Sequence, residues 1–279
     1  MVRQALYVAK FLLGTDLAGR DLWIFPDDIF LVSYPKSGNT WSRFLLANLV
    51  NPDEPATFAN INRLIPDPWA LSKRYLKKLP RPRILKSHEP FDPRYKNVIC
   101  VVRDPRDVVL SEYHFDIKRQ LIAEGTPIEE RVNLFLAGET CPNGSWGENV
   151  ASWISTRQNH PRFLLIRYED LEEDTTGELA RIAKFLNIDA SPERLALAAE
   201  RSTANNMRKL EKAQAHLWSS TKETRKDKPF VRAAKSGGWR VELPPSSIAR
   251  IESAWGPLMK KLGYELHSMK SVEAGVDVI

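Results

Sequence analysis

One lysine followed by serine, glycine, asparagine and threonine (Lys36, Ser37, Gly38, Asn39, Thr40) stands between an apolar run, FLVS, and the helix-patterned run TWSRFLLANLV. A strand, loop and helix joined in this way present backbone N–H groups and the positive end of a helix dipole, which together suit an anion. Laid over the Walker pattern GxxxxGK[ST], Ser33 replaces the first glycine, Asn39 replaces the lysine, and Thr40 keeps the hydroxyl position. The lysine moves inside the loop as Lys36. A Walker lysine and Mg²⁺ serve a highly charged β,γ-phosphate, yet the strand that ought to supply the Mg²⁺ carboxylate ends in Arg103 before Asp104. An arginine there binds a second anion, so no metal is expected.

The run RILKSHEP adds Lys86 and His88. A neutral imidazole, with an ordinary pKa near 6.5, can take the proton of an attacking hydroxyl. Each of these residues also has a plain structural reading. A loop lysine is usually solvated, a lone histidine usually structural, Arg103 could pair with Asp104, and Tyr168 could be a core tyrosine. His114 reads as packing or orienting, and Trp146, Trp153 and Trp239 as core or loop anchors.

The elements that must position these groups alternate. Residues 29–33 read as a buried strand and residues 40–50 as a helix. A Pro-rich segment, 51–83, contains the helical-looking WALSKRYLKKL and leads into RILKSH. NVICVVRD (97–104) reads as a central parallel strand covered on both faces, with Asp104 or Asp107 capping the helix DVVLSEYHFDIKRQLI. A helix around ENVASWISTRQN, a strand RFLLIRYED, a helix TGELARIAKFLNI, a charged loop over 222–240 and a last helix SIARIESAWGPLMKKLG follow. This alternation implies βαβ crossovers: an α/β fold with a central parallel β-sheet flanked by helices, P-loop-like, as a single domain over 1–279. A helical segment is expected over 1–28 and a flexible tail over 268–279.

Taken in order, YPKSGNTW, LKSHEP, VVRDPRDVVLSEYHF, LIRYED and FVRAAKSGGWR resemble the signatures of the cytosolic-type sulfotransferases, the family that uses 3′-phosphoadenosine 5′-phosphosulfate (PAPS). GSWGENVASW gives weaker support. The resemblance implies that Lys36, Ser37, Gly38, Asn39 and Thr40 hold the 5′-phosphate, with Trp41 near the adenine. It implies Arg103, Ser111 and Arg232 for the 3′-phosphate, Tyr168 and Ser202 as nucleotide contacts, and His88 as general base with Lys36 and Lys86 stabilising charge. The expected function is transfer of a sulfuryl group to a hydroxyl, less readily an amine, of a small acceptor, leaving adenosine 3′,5′-bisphosphate (PAP). Alternatives are a carbohydrate sulfotransferase and, in other classes, a P-loop kinase or a non-catalytic nucleotide-binding protein.

The late motif departs from the family pattern. Ala233 and Ala234 replace the usual lysine and glycine, and Gly238 stands where aspartate is common; Lys235 is a candidate for the missing charge. The family's dimer segment KxxxTVxxxE is not found after Trp239, so no dimer is carried over. The acceptor wall is expected from segments 60–83, 140–146 and 222–232.

Composition sets the outer bounds. The 279 residues are 43% hydrophobic and 27% charged, with formal charge +6. The positive balance favours an anionic ligand, but the basic residues are spread along the chain, which disfavours nucleic acid. Cys100 and Cys141 make neither a disulfide framework nor a metal-ligand spacing, which fits a reducing, cytoplasmic setting. The stretch ALYVAKFLLG is too short to span a bilayer and is broken by Lys10, so it reads as an amphipathic helix and no integral membrane association is expected.

Overall fold

The computed structural model describes residues 17–218 and 220–267. Strand β1 (Ile29–Ser33) lies between β2 (Ile84–Ser87) and β3 (Asn97–Val102), and β4 (Phe163–Arg167) pairs with β3. All three pairings are parallel. Strands β1 and β3 are apolar nearly throughout because helices cover both faces of the sheet. Side chains alternate between two apolar layers. Phe30, Val32, Val98, Cys100 and Val102 enter one, and Leu31, Ile99, Val101 and Ile166 enter the other.

Helix α1 (Asn39–Val50) leaves β1 through the lysine loop, and two short helices, α2 (Ile61–Leu64) and α3 (Lys73–Lys77), interrupt the way to β2. Most of WALSKRYLKKL is therefore irregular. From β2 the chain returns across β1 to β3, so the connections diverge on either side of β1. A crevice opens outside the carboxyl ends of the strands at such a point. Helices α4 (Pro105–Lys118), α5 (Ile128–Ala137) and α6 (Trp146–Arg157) precede β4; α7 (Tyr168–Glu173), α8 (Thr175–Phe185), α9 (Pro192–Arg201) and α10 (Ala204–Gln214) follow it. The short α11 (Trp239–Glu242) and the long α12 (Pro245–Lys261) close the fold.

The expected end of β4 shifts. The strand predicted through Asp170 stops at Arg167, because its partner β3 runs out at Val102 and Tyr168 begins α7. Asp104 caps α4, accepting from the Arg106 N–H at 2.9 Å, while Asp107 does other work. Arg106 is buried among Asp104, Glu252 and the Trp239 ring, tying α4 to α12 instead of facing a ligand. Of the helical segment expected over 1–28, residues 1–16 lie outside the described residues. Residues 17–28 contain a single 3₁₀ turn, Gly19–Asp21, instead of a helix. The tail 268–279 also lies outside the described residues.

Candidate active site

The β1–α1 loop turns through left-handed backbone at Lys36, with φ 64°, and at Gly38, with φ 91°. Glycine is required at the second position twice over. A Cβ there would stand 2.5 Å from Cδ2 of Tyr168, and that ring closes the loop from the α7 side. Helices α4, α6, α8, α9 and α10 each begin with a side chain accepting from their first turn. Helix α1, with Gly38 at its cap position, has none, as is also true of α2, α5, α7, α11 and α12. Its first N–H groups are left for something outside the helix.

Around this loop lies a cavity of about 440 Å³, a size suited to a nucleotide-sized ligand. Every residue expected in the site lines it except Ser37, which is fully buried beneath the loop. Among the described residues, Asn39 Oδ1 and Arg103 Nε on this lining are buried without partners, as is Ser37 Oγ beneath the loop. The Arg103 N–H lacks an acceptor, which an oxyanion relieves. Arg103 otherwise spans the carbonyls of Lys36 (3.4 Å) and Lys235 (3.1 Å), with its guanidinium 4.2 Å from the centre of the Tyr168 ring. Ser111, one helical turn and more into α4, lines the same wall. Trp41 meets Tyr168 edge-on at 5.4 Å.

The Lys36 ammonium sits 3.7 Å from the Phe115 ring centre and 4.9 Å from that of Phe230. Burial pulls its pKa down to about 7 against the opposing pull of Glu112, and Arg103 adds to the lowering. It makes no ion pair among the described residues. His88 Nδ1 lies 2.7 Å from the Ser33 carbonyl, which can only accept, so Nδ1 carries the proton and Nε2 keeps its lone pair. Burial, and then the Lys86 ammonium, bring the His88 pKa down to about 3, so the ring is neutral through the physiological range. Ser33, in the place of a Walker glycine, also accepts from Asn39 Nδ2 at 3.1 Å. The departure from the Walker pattern thus joins the loop to the histidine.

Other expected residues are less free. Lys86 is paired with Asp67 at 2.6 Å. Arg232 lines the cavity but its guanidinium is bound by Glu242 at 3.0 Å, and Glu242 also holds His114 at 2.8 Å. Ser202 is fully buried and its hydroxyl donates to the Ala198 carbonyl at 2.8 Å while accepting from Asn48 Nδ2 at 3.0 Å. It shapes the wall without offering a donor, and its carbonyl fixes the Trp41 indole N–H at 3.0 Å. Trp146 is interior, packed against Trp255, and residues 140–144 bind the Tyr34 hydroxyl; that expected acceptor segment does not line the cavity. Sequence reasoning passed over Asp67, Phe115, Phe230 and Glu242. Only Phe115 and Phe230 sat inside quoted motifs, and nothing in their spacing showed that they would meet Lys36.

Residues 26–263 match the family described as the sulfotransferase domain. Sulfotransferase 2B1 of Mus musculus is 32% identical over 240 residues, an alignment spanning 82% of this chain and 70% of the relative. Against sulfotransferase 2B1 of Homo sapiens the chain is 31% identical over 245 residues, covering 84% of this chain and 66% of the relative. Sulfotransferase 2A6 of Rattus norvegicus is 30% identical over 238 residues, with 81% of each covered. Among solved structures, mouse sulfotransferase SULT7A1 complexed with PAP superposes with a TM-score of 0.69 at 25% identity, covering 87% of each chain. The chain belongs to the sulfotransferase family, the PAPS-dependent enzymes that its motifs resemble.

Proposed function

We propose that this protein moves the sulfuryl group of PAPS to the hydroxyl of a small acceptor, with His88 as general base. The observation that carries this is the meeting, in one cavity, of a helix N-terminus without a side-chain cap, Arg103 with a donor unsatisfied, and an imidazole whose Nε2 has no partner, all among the described residues. The 5′-phosphate would rest on the N–H groups of residues 38–40 beside Lys36, and the 3′-phosphate near Arg103 and Ser111. The adenine would lie against Trp41 and Tyr168. The mouse relative is complexed with PAP, which supports a PAPS-derived nucleotide as the ligand.

In the reaction, the acceptor oxygen attacks sulfur as its proton passes to His88 Nε2. The bond from sulfur to the 5′-phosphate oxygen breaks in line, leaving PAP and a sulfate ester. Negative charge grows on that bridging oxygen, and Lys36 would stabilise it. A donor carrying several negative charges also offsets the influence of Lys86 on the ring, so His88 gains basicity when the donor is bound. Donors without acceptors suit phosphate and sulfuryl oxygens directly, with no bridging ion.

Incubation with ³⁵S-labelled PAPS and a panel of phenols, alcohols, amines and sugars tests the reading. Transfer of label without added Mg²⁺, together with thermal stabilisation by PAP, is expected. Stabilisation by ATP with Mg²⁺ but not by PAP would replace it with the kinase reading.

A further inference from the structure

Asp67 belongs to none of the sequence motifs, yet it reaches the chemical end of the cavity. Its Oδ1 accepts from the Trp69 N–H at 3.0 Å, so the carboxylate is held by its own turn. The other oxygen, Oδ2, meets Lys86 Nζ at 2.6 Å, with side-chain exposures of 15% and 17%. The backbone is pinned alongside as well, because the Lys86 N–H donates to the Pro66 carbonyl at 2.8 Å. His88 stands two residues further on, and all three side chains line one cavity.

We infer that Asp67 is a positioning residue for Lys86, keeping its ammonium charged and fixed beside His88. This rests on the reading of Lys86 and His88 as the sulfuryl-transfer end of the cavity. The physical need is plain. A lysine this enclosed loses its proton easily, and burial does lower the Lys86 pKa, with Asp67 opposing the fall. Among the described residues, the groups facing the ammonium are Asp67 from the segment before α3, Arg43 from α1 and His88 beyond β2, and Asp67 is the carboxylate of this set. Arg43 favours loss of the proton, while its own guanidinium is spent on Asn62 and the Ile65 carbonyl. Without Asp67, the Lys86 pKa falls further, and more of the amine is neutral and unable to steady an anionic group.

The test reads Lys86 directly. Trace acylation by acetic anhydride across a pH series, scored by mass spectrometry at Lys86, follows the fraction of unprotonated amine. Asp67→Asn should label at Lys86 about tenfold or more faster at pH 7 than the parent. Asp67→Glu, which keeps the charge, should stay near the parent. An unchanged profile in Asp67→Asn, or an equal shift in Asp67→Glu, overturns the inference. PAP stabilisation is measured on the same samples: its absence in the parent chain would count against the proposed function, while the labelling profile would still decide the role of Asp67.

Discussion

Segments 34–41 and 230–240 both contribute to one cavity, the second through residues 230–235, yet they are held in place by different means. The first segment continues a core strand into a helix, and its turn is set by the left-handed Gly38 with the Tyr168 ring behind it. The second forms no regular structure before α11. Its backbone groups are satisfied by side chains from elsewhere: Glu211 accepts from the N–H groups of Phe230 and Val231, Arg208 donates to the carbonyls of Val231 and Arg232, and Asp107 accepts from Gly237 and Trp239. Lys118 adds bonds to the carbonyls of Arg225 and Lys228. Backbone polar groups of a packed loop must find partners, and here they are borrowed. The lesson is that the strand side is ordered by local geometry, whereas the late side is ordered by side chains borrowed from elsewhere.

The largest effect should come from breaking the geometric side. Gly38→Ala places a side chain on left-handed backbone and against Tyr168, costing about 1–3 kcal/mol from the backbone alone. Thermal melts should show a less stable protein whose melting temperature no longer responds to PAP. Full PAP response in that variant would mean the loop is not the phosphate site.

Next comes Arg103→Gln, which removes a charged donor shared between the two sides. A hydrogen bond to a charged group is worth about 1.5–3 kcal/mol, so calorimetry should find PAP binding weakened roughly 10- to 100-fold.

Lys36 gives a pH signature of intermediate size. In the free protein it releases its proton near pH 7, while contact with phosphate favours the ammonium form. Binding therefore takes up a proton above that pH, and PAP affinity should fall by up to about tenfold per pH unit above 7. Lys36→Met should flatten this limb. Without ligand the sign is opposite: an unfolded lysine stays protonated to about 10.5, so burying Lys36 becomes less costly as pH rises from about 7 to 10.5 and stability climbs.

The smallest effects belong to the late side. Arg232 is about one-third exposed and already paired with Glu242. Such pairs exchange for about 0–1 kcal/mol, so Arg232→Gln should weaken PAP less than about fivefold. Glu242→Gln should tighten it by a similar small factor. A loss on Arg232→Gln as large as that of Arg103→Gln would erase the distinction between the two sides.

The same contrast governs what could be read in the sequence. The strands, the lysine loop and the arginine after β3 were legible because their signals are local: apolar runs, one left-handed glycine, a charged residue at a strand end. The β4 boundary was misplaced because it depends on where β3 stops. Asp67 and Glu242 were invisible because each acts on a residue from a distant part of the chain, Lys86 and Arg232. The inward turn of the Ser202 hydroxyl likewise depends on Asn48, 154 residues away.

The central claim, a PAPS site coupled to a histidine base, is tested most directly by comparing the parent chain with His88→Ala, measuring label transfer from ³⁵S-PAPS and PAP stabilisation on the same preparations. The account predicts that turnover falls by about 10²- to 10⁴-fold while the PAP-induced shift in melting temperature persists. Turnover within a few-fold of the parent would contradict it.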